Sequence, residues 1–142
     1  MARKILALGF VLPLLCAAQA QASRLIVTIQ GMRDADGYLY VALFTKPDGF
    51  PDGNYSAQHM KLKAAAEPLT VVLADLAPGT YAVGAYHDEN SNGRLDTNVI
   101  GYPTEGYALS NGIRAMFSRP RFINAAVPVG GGDTHVTLRI KY

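Results

Sequence analysis

The chain carries a single cysteine, Cys16, so no intramolecular disulfide can form. Tryptophan is absent, and the charged residues, 17% of the chain, gather into no long run of one sign. Thirteen Lys and Arg stand against eleven Asp and Glu, which argues against the strongly basic surface of a nucleic-acid-binding domain. There is no serine in a glycine elbow and no glycine-rich phosphate loop leading into a helix. His59, His87 and His135 include no pair at zinc-ligand spacing. One apolar run stands out, residues 5–15, and it is too short to span a bilayer.

That run has Arg3 and Lys4 before it and small residues after it, the order of a secretory signal peptide. Residues 1–22 are therefore expected to be removed, with Ala18-Gln19-Ala20 and Ala20-Gln21-Ala22 both acceptable at the cleavage site. Cys16 leaves with the signal, because Leu15 is larger than the residue a lipid-attachment signal places there. The expected product, residues 23–142, is periplasmic or secreted, has no transmembrane anchor, and is near neutral once Arg3 and Lys4 are gone. It is one domain's worth of chain, long enough to bury a core without staples.

Within it, apolar residues recur with period two. Leu25, Val27 and Ile29 share one face of a first strand, and residues 38–44 form a second, with Asp36-Gly37 suggesting a hairpin between them. Residues 45–58 hold Pro47, Gly49, Pro51 and Gly53 and read as a surface loop, with Phe50 and Tyr55 packing it onto the domain. Met60, Leu62 and Ala64 alternate with Lys61 and Lys63, favouring strand over helix at 59–66. Residues 69–76 read as a buried strand ended by Pro78-Gly79, where a type II turn needs positive φ at Gly79. The nearly continuous apolar run from Tyr81 to His87 belongs in the middle of a sheet. A polar connection follows as far as Pro120, then strands at 122–127 and 135–142, the latter with Val136, Leu138 and Ile140 facing inward. About seven strands and no convincing helix imply an all-β, antiparallel sandwich.

The strand at 81–87 delivers the one stretch where oxygen-bearing side chains recur at a chemically useful spacing. Asp88, Asn90 and Asn92 stand at positions 1, 3 and 5 of a loop, Gly93 at 6, Arg94 with its carbonyl at 7, and Asp96 at 9, the opening of a calcium loop. Position 12 holds Val99, so the outside carboxylate must come from Glu105. These six residues are the candidate Ca²⁺ ligands, against the simpler reading of a hydrated Asx turn. Magnesium fits less well, since it demands a tighter octahedron. From Asp88 to Glu105 the chain carries four acids to one base, whereas Arg114, Arg119, Arg121, Arg139 and Lys141 crowd the end of the chain.

The blocks Leu76-x-Pro78-Gly79-x-Tyr81-Ala82, His87-Asp88-Glu89-Asn90-x-Asn92-Gly93-x-Leu95-Asp96 and Gly101-x-Pro103-x-Glu105-Gly106-Tyr107, with Ser110-Asn111, resemble the secreted bacterial domain family DUF2141. The resemblance covers nearly all of the mature chain and departs at Arg119-Pro120, where the family has a glycine before the proline. It implies an immunoglobulin-like or transthyretin-like sandwich and supplies no activity. The expected function is that of a calcium-binding β-sandwich serving as a binding or interaction module of the cell envelope, with a protein or glycan partner. The alternative is a small secreted hydrolase or carbohydrate-active domain that uses Asp88, Glu105 and His87.

Overall fold

A computed structural model describes residues 22–114 and 118–142. The expected signal peptide thus lies, but for Ala22, outside the described residues. Eight strands are formed among the described residues: β1 (Ser23–Gln30), β2 (Tyr38–Phe44), β3 (Gln58–Lys63), β4 (Leu69–Leu76), β5 (Gly79–Asp88), β6 (Tyr107–Leu109), β7 (Val127–Val129) and β8 (Asp133–Arg139). They make two sheets, β4-β1-β8 and β3-β2-β5-β6, with β7 pairing the start of β5. The all-β sandwich read from the periodicity is present. Among the described residues no helix is long and apolar enough to cross a membrane.

Period-two alternation builds the core directly. Leu25, Val27 and Ile29 of β1 face Leu39, Val41 and Leu43 of β2 across the sandwich, joined by Val71 and Leu73 of β4, Val83 of β5 and Leu138 of β8. Each such fully buried aliphatic side chain contributes about 1.5–3 kcal/mol relative to exposure. A second, smaller core lies on the outer face of the β3-β2-β5-β6 sheet. There Phe50, from the Pro/Gly-rich loop, meets Phe44 edge to face with ring centroids 5.0 Å apart, over Ala82, Leu109 and Ala125. Arg119 fastens that loop by donating to the carbonyls of Gly49 and Phe50. Tyr55, expected to pack with Phe50, is largely exposed.

Four local expectations are corrected. Strands β1 and β2 do not form a hairpin: β1 pairs with β4 and β8, β2 with β3 and β5, and residues 31–37 cross from one sheet to the other. The sandwich is not wholly antiparallel, because β1 and β8 run parallel in register from Arg24↔Asp133 to Gln30↔Arg139. Positive φ is found at Asp75 (57°), not at Gly79, beside a register shift in the β1–β4 ladder between Ser23 and Leu25. An extra residue is accommodated there, the ladder resuming at Ser23↔Leu76, and the Tyr81 hydroxyl holds the turn by donating to the Ala77 carbonyl at 2.7 Å. Finally, residues 122–127 are not a strand but one helical turn, α1 (Phe122–Ala125), leading into β7.

Strand β5 is central, as its apolar run implies, with β2 on one side and β6 and β7 on the other. It ends on His87 and Asp88, both fully buried. The expected loop thus starts from a rigid point.

Candidate functional site

The loop is folded by its own side chains. Asp88 accepts from the backbone N–H of Asn92 at 3.0 Å on Oδ1 and of Gly93 at 2.9 Å on Oδ2, curling residues 88–93 around its carboxylate. Asn90 Oδ1 accepts from the same Asn92 N–H at 3.0 Å, and Asn92 Oδ1 from the N–H of Arg94 at 3.0 Å, two successive Asx turns. Left-handed φ at Ser91 (63°) and Gly93 (82°) completes the bend.

Glu105 folds back onto the loop, and it clasps the two sides of the loop together. Its Oε1 accepts from the Glu89 N–H and its Oε2 from the Asp96 N–H, both at 3.0 Å. Beyond Asp96 the chain makes a small hairpin, with Thr97 bridged to Pro103 and Asn98 Oδ1 accepting from Ile100 and Tyr102.

Five of the six expected ligand residues are thereby tied together through side chains. Asp96 accepts from the Asn90 amide at 2.6 Å and from the Asn92 amide at 2.8 and 2.9 Å, while Asn92 shares its N–H between Asp88 and Asn90. Those amide bonds, with Arg94 nearby, hold the Asp96 carboxyl below its ordinary range. The sixth, Arg94, enters through its backbone, its exposed guanidinium lying 3.4 Å from Asp96. Among Asp, Glu and His side chains described, the trio whose ligand atoms fall within 4.8 Å of one another is a different one, Asp34, His87 and Glu89.

Hydrogen bonding in that trio speaks against an ion there. His87 Nε2 lies 2.7 Å from the Asp36 carbonyl, which can only accept, so Nε2 carries the proton. Nδ1 lies 2.6 Å from the Tyr142 hydroxyl, which also accepts from the Arg33 N–H. Both ring nitrogens are committed, and Glu89 is held by Arg33 through two bonds of 2.5 and 2.6 Å. His87 therefore orients the 31–37 crossover and Tyr142. Of the three residues considered for acid–base roles, Asp88 and Glu105 have every carboxylate oxygen accepting from a backbone N–H, and His87 has both ring nitrogens within hydrogen-bond distance of a partner.

Three residues of the site were invisible to sequence reasoning. Gly37, at φ 64°, lies so close to Asp88 that a Cβ would stand 1.9 Å from the Asp88 carbonyl oxygen. Tyr40 and Tyr86, opposite one another on β2 and β5, stack at 4.9 Å and 3° and support the loop from below, the Tyr86 hydroxyl donating to the Gly93 carbonyl at 3.2 Å. Burial, chiefly, pushes the Tyr86 hydroxyl pKa up. Only the register between β2 and β5 could have paired them.

The stack forms one side of a cleft of about 700 Å³ on the outer face of the β3-β2-β5-β6 sheet. Residues 51–54 wall it on one flank, Gly93, Arg94, Leu95 and Pro103 on the other, and the single methyl group of Ala42 and the bare backbone of Gly84 leave its floor open. Both walls are fixed, one by Phe50 and Arg119, the other by Asp88 and Glu105, so the cleft is preformed.

These features define an all-β sandwich whose central strand carries a carboxylate-folded Asp/Asn loop beside a preformed cleft. The chain belongs to the DUF2141 family, described as an uncharacterized protein conserved in bacteria, whose model matches residues 27–137. No curated protein and no solved structure matches the chain.

Proposed function

We propose that the protein is an exported, calcium-stabilised β-sandwich that acts as a binding module of the cell envelope, taking a protein or glycan partner in the cleft walled by its Asp/Asn loop. The observation that carries this reading is a pair of buried carboxylates, Asp88 and Glu105, with no cationic side chain at ion-pair distance among the described residues. Backbone N–H groups hold both, and buried charge without a counter-charge is costly. A divalent cation held by the lone pairs that Asp88 and Asp96 have left, with the Arg94 carbonyl and the Asn90 and Asn92 amides turned to present oxygen, supplies that charge with oxygen ligands of the kind calcium takes. Loop and cleft share Gly93 and Arg94, so stiffening the loop stiffens the binding wall.

Thermal melts in chelator and in calcium test the reading. For a site with Kd of about 10⁻⁴ M, the tight end of the range for extracellular modules, about 10 mM calcium adds roughly 2.7 kcal/mol. That corresponds to a rise of about 10 °C for a domain of this size. Asp88→Asn is a poor control, because its new NH₂ would face a backbone N–H that the carboxylate now accepts from. Asp96→Asn is better: it removes a charge at a partly exposed position and leaves the loop backbone bonds intact, at the expense of part of the amide bonds from Asn90 and Asn92, so it should shrink the calcium shift by more than it lowers the melt in chelator. A wild-type melt unmoved by calcium refutes the metal site. Equal calcium shifts in wild type and Asp96→Asn place the ion elsewhere.

A further inference from the structure

At the seam where the edge of one sheet meets the edge of the other, the backbone of Tyr107 exchanges two hydrogen bonds with Lys141, at 3.0 and 3.1 Å. Beside that bridge lies a second cavity, of about 220 Å³. Thr137, Arg139 and Lys141 recur every second residue, which puts them on one face of β8 and its extension. Arg114 approaches from the other sheet, carried by the 110–112 turn with Asn111 and Gly112 both left-handed (61° and 68°). All four line the cavity.

Cations elsewhere in the domain mostly have partners. Arg24 pairs with Asp133, Arg33 with Glu89, Lys46 with Asp48 and Arg94 with Asp96, while Lys61 and Lys63 lie over Tyr38. At the seam no described carboxylate is at ion-pair distance from Arg114, Arg139 or Lys141. Among the described residues Arg114 faces the Tyr107 ring, 5.3 Å from its guanidinium carbon to the centroid. Three like charges around one concavity repel each other, and an anion there removes the repulsion.

We propose that this seam cavity binds a phosphate group. Two guanidinium forks and an ammonium offer more donors than the two oxygens of a carboxylate can use, and they match the several oxygens of a tetrahedral oxyanion. The Thr137 hydroxyl adds a neutral donor. The volume, several times the ~30 Å³ share of one water in the liquid, holds such a group with its first hydration. Because the cations are solvent-accessible, binding weakens steeply as salt shortens the screening length to about 8 Å at physiological strength.

The test is a calorimetric titration of the folded domain with inorganic phosphate at low ionic strength, in chelator, so that it stands or falls apart from the calcium reading. Saturable binding is expected in wild type, and Arg139→Gln/Lys141→Gln should weaken it by roughly tenfold or more, the scale of lost charge-assisted bonds. Lys46→Gln/Lys63→Gln removes as much charge from elsewhere and should leave binding unchanged. A melting temperature equal to wild type confirms that each variant is folded, and the single Lys141→Gln serves if the pair is not. Sedimentation with vesicles of phosphatidylcholine, with and without phosphatidylglycerol, distinguishes the sources: pelleting only with the anionic lipid identifies a lipid-borne phosphate, and phosphate binding without pelleting a soluble ester. Binding to neither probe, or equal weakening by the two double variants, overturns the proposal.

Discussion

Glu105 is the residue whose removal most directly probes how the loop is held. Its two oxygens satisfy the N–H groups of Glu89 and Asp96, sixteen and nine residues away, at 3.0 Å each. Hydrogen bonds to a charged acceptor contribute about 1.5–3 kcal/mol each. Glu105→Ala abandons both donors, though water can reach the Asp96 side, so the expected loss is about 3 kcal/mol, a large part of a typical stability of ~5–15 kcal/mol. In a melt that is a fall of about 10 °C, and urea unfolding should show a lower midpoint with little change in slope. Glu105→Gln keeps one acceptor but turns an NH₂ towards the other N–H, so it should fall between wild type and alanine. All of this is expected in chelator, without any ion. If Glu105→Ala melts within about 2 °C of wild type, the clasp is ornamental and the loop is held by Asp88 alone.

Gly37→Ala should be far more damaging than Gly101→Ala: both glycines are left-handed, at 64° and 80°, but only Gly37 would drive a Cβ to 1.9 Å from backbone, whereas Gly101 has nothing within 4 Å. Left-handed strain alone costs roughly 1–2 kcal/mol, so similar melts for the two variants would show that the close approach to Asp88 is unimportant. The Arg24 guanidinium, with bonds of 2.7 and 2.6 Å, holds the Asp133 carboxyl below its ordinary range. A carboxylate with a depressed folded pKa stabilises above its unfolded value of about 3.9 and loses that contribution as pH falls through the folded value. The melting temperature of wild type should therefore drop more than that of Asp133→Asn on going from about pH 5 to below the unfolded value, and parallel profiles would mean the pair adds no stability.

What could be read from the sequence follows the range of the interactions involved. Leu25, Val27 and Ile29 show their burial through alternation alone, because the strand's own period decides which side chains meet a core. The partners of β1 do not show in the same way. Its parallel neighbour β8 begins 109 residues further on, at the Arg24–Asp133 pair, and nothing local to either strand encodes that register. Asp36-Gly37 reads as a hairpin because a turn and a crossover both use glycine at positive φ. The difference lies in what Gly37 touches, which is Asp88, distant in sequence. The calcium spacing was legible as a pattern of residue types, but the burial of Asp88 was not, since it depends on Gly37 and Glu105 arriving from other parts of the chain.

That burial separates two tasks that the spacing alone would merge. In a loop whose acids all point outward, an ion must both fold the backbone and satisfy the charge. Here Asp88 and Glu105 together accept from four backbone N–H groups, of Asn92, Gly93, Glu89 and Asp96, so the backbone is set beforehand. An ion would have to reorganise only the tips of Asn90, Asn92 and Asp96, which are bonded to one another. Its stabilisation is then limited by mass action and by the amide bonds it displaces, not by the cost of ordering the loop. The two carboxylates therefore ought to respond differently: Glu105→Ala loses stability in chelator and keeps much of its calcium increment, whereas Asp96→Asn, which disturbs only partly exposed amide bonds, loses less stability in chelator and most of the increment. A variant pair showing the reverse pattern would make Asp96 the fold-holding carboxylate and Glu105 the ion's principal ligand.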